Sequence, residues 1–328
     1  MKHSRLLFAF IAAGCAGSSF AQYTSPELML VTDAGGTTPA GTTAPAQIER
    51  YDPYTGAYLG AFGAGYVTDP FGVTVIGADA YVTDSFTVGT TPYSRIDKFN
   101  FSTGAYDGTI FSSSPDFLTG VTTYGSYLLA SDFGSGGLNG GIYTYNSSGA
   151  QTNFYGMPQN SEPLSIATDA SHVYVSSYQG LYSYNLNSSG VPTGLVFNAS
   201  ASSILFGVLY DGAKNSVYAS GYSTINEYNT SGSIVSTYSN SAYGLDNIAF
   251  GHNGILYGLE GFGDQIVRFD SNEALNFGPL GTFKLNYSGN PQRIAVYAAP
   301  EPFSMAGLAF GVAGVLLRRR AKRAPSRD

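Results

Sequence analysis

Ile48-Glu49-Arg50-Tyr51-Asp52 decides the fold, because the chain says it six times. The pattern is an apolar residue, then shortly an aromatic, then Asn or Asp. It returns as Ile96-Asp97-Lys98-Phe99-Asn100, Ile142-Tyr143-Thr144-Tyr145-Asn146 and Leu181-Tyr182-Ser183-Tyr184-Asn185. The last two copies are Ile225-Asn226-Glu227-Tyr228-Asn229 and Ile266-Val267-Arg268-Phe269-Asp270. Their aromatics stand at 51, 99, 145, 184, 228 and 269, at intervals of 48, 46, 39, 44 and 41 residues. A period of about 44 residues is the length of a β-propeller blade.

Two further elements keep the same period. An apolar strand opening sits at Val73, Val121, Ile166, Val208, Ile248 and Ile294. Tyr81-Val82-Thr83-Asp84 is echoed by Leu128-Leu129-Ala130-Ser131-Asp132, Val173-Tyr174-Val175-Ser176, Val217-Tyr218-Ala219-Ser220 and Leu256-Tyr257-Gly258-Leu259-Glu260. With turn residues between them, each unit reads as a four-stranded meander. The body, residues 22–298, is therefore expected to be an all-β, six-bladed β-propeller. It begins with Leu28-Met29-Leu30-Val31-Thr32-Asp33, a second strand with no first. It ends with Arg293-Ile294-Ala295-Val296-Tyr297, a first strand with no second. Pairing these two ends in one blade closes the ring and removes its open edges.

Both termini read as targeting segments. Lys2 and Arg5 precede an apolar stretch at 6–13, and Ser19-Phe20-Ala21 offers small residues for cleavage. Residues 1–21 thus form a signal peptide with a helical apolar core. Ala12-Ala13-Gly14-Cys15 is a loose lipobox, with alanine where leucine is usual, so lipidation of Cys15 is an alternative. Cleavage after Ala21 would leave no cysteine, hence no disulfide in an exported protein. At the other end Ala299-Pro300-Glu301-Pro302 is followed by an apolar run at 303–317 and by Arg318-Arg319-Arg320-Ala321-Lys322-Arg323. Such a run can enter a bilayer while the arginines stay cytoplasmic. About fifteen residues is short for a stable span, as suits a segment that is held and then cut.

Removing these segments sharpens the charge. The chain has 15 basic and 22 acidic residues; two basic ones lie in 1–21, and six basic and one acidic lie beyond 302. The remaining 7 and 21, all in residues 22–302, give this segment a net charge of −14. Nucleic acid and anionic membrane surfaces are poor partners for it. A hydrophobic content of 43% is enough to fill a core, which argues against disorder.

The tail, residues 299–328, resembles the PEP-CTERM sorting signal of Gram-negative bacteria, carried here by Pro300, Glu301 and Pro302, the apolar helix, and Arg318, Arg319 and Arg320. Phe303 departs from the small polar residue usual there. The resemblance implies recognition by a membrane-embedded exosortase, transient inner-membrane insertion, removal of the tail, and release to the cell surface or extracellular matrix. An uncut membrane anchor is the plainer alternative. The body is similar to the broad NHL, YVTN and SMP-30 class of propellers, which is functionally mixed, so the likeness implies a fold and no activity.

In such a meander, blade-to-blade connections and strand-two-to-three loops emerge on one face. That face is expected to collect Asp33, Asp84, Asp132, Glu162, Asp246 and Glu260, with Asp69 and Asp116 nearby. Converging oxygens would suit Ca²⁺, although no cofactor is required. Asp and Asn also cap strand ends for backbone reasons, and that reading stays open. Connections 34–47, 85–94 and 133–141 are longer than those of blades four to six and could wall a recognition site. His172 and His252 fall in turns on the opposite face. No nucleophile elbow, zincin, Cys-x-x-Cys or phosphate-loop motif is present. The 26 tyrosines read either as strand packing or as saccharide platforms. The expectation is a noncatalytic exported protein that binds exopolysaccharide or other surface partners. The alternative is a metal-dependent, lactonase-like hydrolase at the acidic channel mouth.

Overall fold

The computed structural model describes residues 27–37, 43–89, 91–111, 117–134, 139–201, 203–239, 244–251, 254–260, 265–270, 279–285 and 290–298. The expected signal peptide with Cys15, the sorting tail with Pro300 to Pro302 and Arg318 to Arg320, and Asp116 and His252 lie outside them. Among the described residues there is no helix. Six four-stranded antiparallel sheets form the blades of a propeller.

Blade 1 is the closing blade. Its inner strand is the last of the chain, Pro291–Ala298, paired with Glu27–Asp33, then Gln47–Tyr51 and Tyr58–Phe62. Leu30 faces Ala295 and Val31 faces Ile294, so the expected union of the two ends holds. The inner strands of blades 2 to 6 are Pro70–Ile76, Leu118–Tyr124, Pro163–Thr168, Leu205–Asp211 and Leu245–Phe250. Each begins three residues before the apolar opening read in the sequence. A register shift near the start of every inner strand accounts for the extra residues.

The repeated motif has two jobs. Its apolar and aromatic positions pack between blades, and its terminal Asn or Asp organises the turn to the outer strand. Asp52 Oδ1 accepts from Tyr54 and Thr55 N–H, Asn146 Oδ1 from Ser148 and Ala150, and Asn229 Oδ1 from Ser231 and Ser233. In blade 4 the work shifts two residues along, to Asn187.

The core is divided into six clusters, one at each blade–blade interface. Met29, Tyr51, Ile294 and Val296 of blade 1 meet Tyr257 and Ile266 of blade 6, so ring closure is an apolar seam as well as a strand pairing. Tyr51, Tyr145, Tyr174, Tyr182, Tyr184, Tyr218, Tyr228 and Tyr257 are each fully buried. For these eight the packing reading of tyrosine holds.

Residues 85–94 are not a loop. Strands Asp79–Val88 and Thr91–Asn100 continue as a two-stranded hairpin beyond blade 2, with Phe86 opposite Tyr93 and Gly89 at the tip (φ 65°). Aromatic and β-branched residues at the cross-strand positions explain the extension. Connection 34–47 carries a small ribbon of its own, Gly36–Thr37 with Thr43–Ala44.

Candidate functional site: the channel and its acidic face

The inner strands crowd at the axis, and their side chains are chosen accordingly. Two residues past the strand starts the six blades place Arg293, Gly72, Gly120, Ser165, Gly207 and Asn247. A Cβ on Gly72 would lie 2.8 Å from Gly120 Cα, and one on Gly120 would lie 2.7 Å from Ser131 Oγ and 3.0 Å from Ser165 Cα. Small residues therefore line this layer. Arg293 is the exception.

Hydroxyls at the ends of the second strands tie this layer together. Thr32 Oγ1 accepts from Arg293 N–H (3.0 Å) and donates to Phe71 O of blade 2 (2.5 Å). Thr83 and Ser220 accept from Gly72 and Gly207 N–H, and Ser176 donates to Phe206 O of blade 5. Blade 6 has Leu259 at this position, and Asn247 Oδ1 takes over by accepting from Ile294 N–H (3.0 Å).

Asp33, Asp84 and Asp132, the next residues along, are buried clamps. Asp33 Oδ1 accepts from Gly35 and Asn290 N–H, Asp84 Oδ1 from Thr68 and Asp69, and Asp132 Oδ1 from Phe117 and Gly134. Each carboxylate thus fastens the connection entering its own blade. Asp84 Oδ2 also pairs with Arg95 Nη2 (2.9 Å), whose Nε meets buried Asp97 (3.0 Å). Burial pushes Asp84, Asp97 and Asp69 above the usual carboxylate range, and Arg95 opposes this for the first two.

The equivalent positions of blade 1 hold Gln47 and Glu49 in place of Arg95 and Asp97. A neutral amide thus stands where blade 2 has its guanidinium. Burial raises Glu49 to about 7, reinforced by Asp33 and opposed by hydrogen bonds from Tyr51 and Gln47.

The remaining acids lie apart. Glu162 is half-buried with φ 48°, a backbone that L-residues rarely adopt. Burial raises Asp246, with Arg293 opposing and Glu260 reinforcing, and Glu260 accepts from Gln265. Among the described residues no three His, Cys, Asp or Glu side chains gather as a metal-holding group. One oxygen of each of Asp33, Asp84 and Asp132 accepts from backbone amides, which is the capping role that strand-end acids can take. His172, on the opposite face as expected, pairs with Asp169 (2.9 Å), which also accepts from Tyr174.

The channel itself is blocked at the acidic face. Arg293 of blade 1 reaches across the axis, its Nη2 donating to Leu164 O of blade 4 (3.1 Å) and its Nη1 to Gln292 O (2.8 Å). It is 7% exposed, and burial lowers its pKa to about 10, opposed by Asp246, so it stays charged at neutral pH. Beneath it runs a cavity of about 260 Å³ lined by all six inner strands. Sequence reasoning missed Arg293. Its signal was available: it is the one long cation in a column otherwise of Gly, Ser and Asn.

Around the blocked mouth runs an arc of aromatic rings. Phe71, Phe117, Phe133 and Tyr178 meet edge to face in succession, with centroids 4.8, 6.0 and 5.7 Å apart. Blade 5 adds Phe206 against Tyr222 (4.7 Å), and the blade 2 hairpin adds Phe86 stacked on Tyr93, with Arg95 over Phe86. Tyr178 and Tyr222 are 42% and 46% exposed.

No family model matches the chain, and no curated protein matches it. Solved structures do. A chain of the nidogen/laminin complex is 13% identical, with a TM-score of 0.64 over 82% of this chain and 98% of that one. A chain of the mitotic checkpoint complex is 11% identical, with a TM-score of 0.50 over 87% and 76%. The likeness is one of fold. It agrees with the six-bladed ring and carries no ligand or activity across.

Proposed function

We propose that the protein is an exported, noncatalytic binding module whose acidic-face aromatic arc engages extracellular polysaccharide. The observation that carries this reading is the succession Phe71–Phe117–Phe133–Tyr178, continuous over blades 2 to 4 and ending in an exposed tyrosine. Sugar rings present apolar C–H faces that stack on aromatics, while their hydroxyls need nearby polar groups, and amphipathic tyrosines serve both. The charge of −14 favours a neutral polymer over a polyanion.

Delivery is part of the same proposal. The tail at 299–328 supports exosortase processing and release at the surface, with Pro300-Glu301-Pro302 as the recognition motif and Arg318 to Arg320 as the cytoplasmic stop. In an exosortase-bearing host, deleting 299–328 should move the protein away from its normal location, and unchanged location would sink the sorting reading. Binding is tested by retardation of the protein in gels containing the host's exopolysaccharide. The unaltered chain should be retarded and Tyr178→Ala should lose most of the effect. Equal mobility with and without polymer would end the reading. No observation favours the hydrolase alternative.

A further inference from the structure

We propose that the seam between blades 2 and 3 is a binding site for one small neutral aromatic molecule, seated in a gap that the seams on either side fill with their own side chains. The site lies on the face opposite the aromatic arc and does not depend on it.

The gap comes from two positions of the repeat. The first is the residue after the motif's terminal Asn or Asp. In blade 2 this is Phe101, 1% exposed and packed in the seam with blade 1, where its ring meets Tyr297 edge to face (6.3 Å). In blade 4 it is Leu186, packed in the seam with blade 3. Both donate their backbone N–H to the turn between the first two strands of their own blade, Phe101 to Ala78 O and Leu186 to Ser171 O (2.7 Å each). The two plugs are thus equivalent. Blade 3 has Ser147 there, and it is exposed. The second position stands on the outer strand, opposite the first residue of the motif. It holds Phe62 in blade 1, Tyr155 in blade 3, Tyr238 in blade 5 and Phe283 in blade 6, but Ile110 in blade 2. Blade 4 has Ala199 there, and its Phe197 packs against Gly232 instead. Phe283 and Phe62 likewise lie against the turn glycines of the next blade, Gly56 and Gly104, whereas Gly149 of blade 3 meets only Ile110.

Where the seam of blades 1 and 2 has Phe62 and Phe101, this seam therefore has Ile110 and Ser147. A cavity of about 180 Å³ stands in the place of the missing rings. Its walls are Ile76, Tyr81 and Ile110 of blade 2 and Leu128 of blade 3, and it opens between the exposed Ser126 and Ser147. Packed interiors leave few voids, because wall atoms without neighbours forfeit their dispersion contacts. An apolar cavity of about 150 Å³ takes benzene, and Phe101 shows that the same place one seam away accepts a ring. No lining side chain carries a charge, so the walls favour a neutral ligand. The hydroxyls of Ser126 and Ser147 suit one polar substituent at the mouth.

The test is an NMR titration of the full chain with benzyl alcohol and with inositol, a ring of similar size whose faces carry hydroxyls. Benzyl alcohol should give saturable shifts centred on the amides of Ser126, Leu128 and Ser147. Inositol should bind there at least about tenfold more weakly. Ser147→Phe, which restores the plug of blade 2, should cut benzyl alcohol binding by a similar factor and raise the melting temperature. Ile110→Phe should also weaken binding, and Tyr178→Ala, in the aromatic arc, should leave it unchanged. The proposal is overturned if these amides do not shift, if inositol matches benzyl alcohol, if folded Ser147→Phe binds as the unaltered chain does, or if Tyr178→Ala weakens binding. Should neither filled variant fold, the comparison of the two ligands on the unaltered chain still decides.

Discussion

Glu49 departs from its repeat and titrates differently because of it. In blade 2, Arg95 neutralises two buried carboxylates; in blade 1, Gln47 cannot, so Glu49 keeps its proton to about pH 7 in the folded chain. An unfolded glutamate releases it near its ordinary value of 4.5. The folded state therefore binds the proton more tightly. Its contribution is complete below about pH 4.5 and declines as pH rises to 7, by on the order of 3 kcal/mol. Thermal melts between pH 4.5 and 8 should show this decline, and Glu49→Gln should flatten it. The clamps behave differently. Asp84→Ala takes one of two carboxylates from Arg95 and strands two amides, so a loss of about 3–5 kcal/mol is expected in urea unfolding. Asp132→Ala frees the Phe117 and Gly134 amides and should cost about 1–3 kcal/mol. The sequence offered both the capping and the metal reading, since a strand-end aspartate looks the same whether it holds a metal or a loop. Only the partners of its oxygens tell them apart.

At the scale of elements, the inner strands are governed by crowding. Gly120 sits where a methyl group would press on Ser131 Oγ and on the backbone at Ser165. Gly120→Ala should therefore destabilise the ring by about 1–3 kcal/mol, measured by urea unfolding, although alanine normally favours order. The third strands were the most legible elements, because each copy packs in an equivalent blade–blade seam and so repeats its spacing. The hairpin extension of blade 2 was not legible. Ser85, Ser94 and Gly89 suggest a loop, but Phe86 opposite Tyr93 and Val88 opposite Thr91 continue the ladder. Cross-strand pairing is a two-segment property that neither segment displays alone.

The whole molecule depends on its last strand. Pro291–Ala298 supplies both the backbone ladder to Glu27–Asp33 and apolar residues of the seam with blade 6. A chain ending at Ala298 should melt like the full chain, whereas one ending at Asn290 should lose cooperative melting and aggregate through its exposed edge. Calorimetry on the two truncations checks this. The closure was legible because the two chain ends are complementary fragments of one repeat, and only a ring lets them meet. Arg293 lies on that same strand, hidden among residues whose repeat identity is otherwise plain.

The closing strand also sets a timetable. A chain made from its N-terminus cannot complete this ring until its final blade strand has been synthesised, and until then Glu27–Asp33 waits with one edge unpaired. For almost its whole synthesis the chain is an unfinished arc, and its first strand is the last to be satisfied.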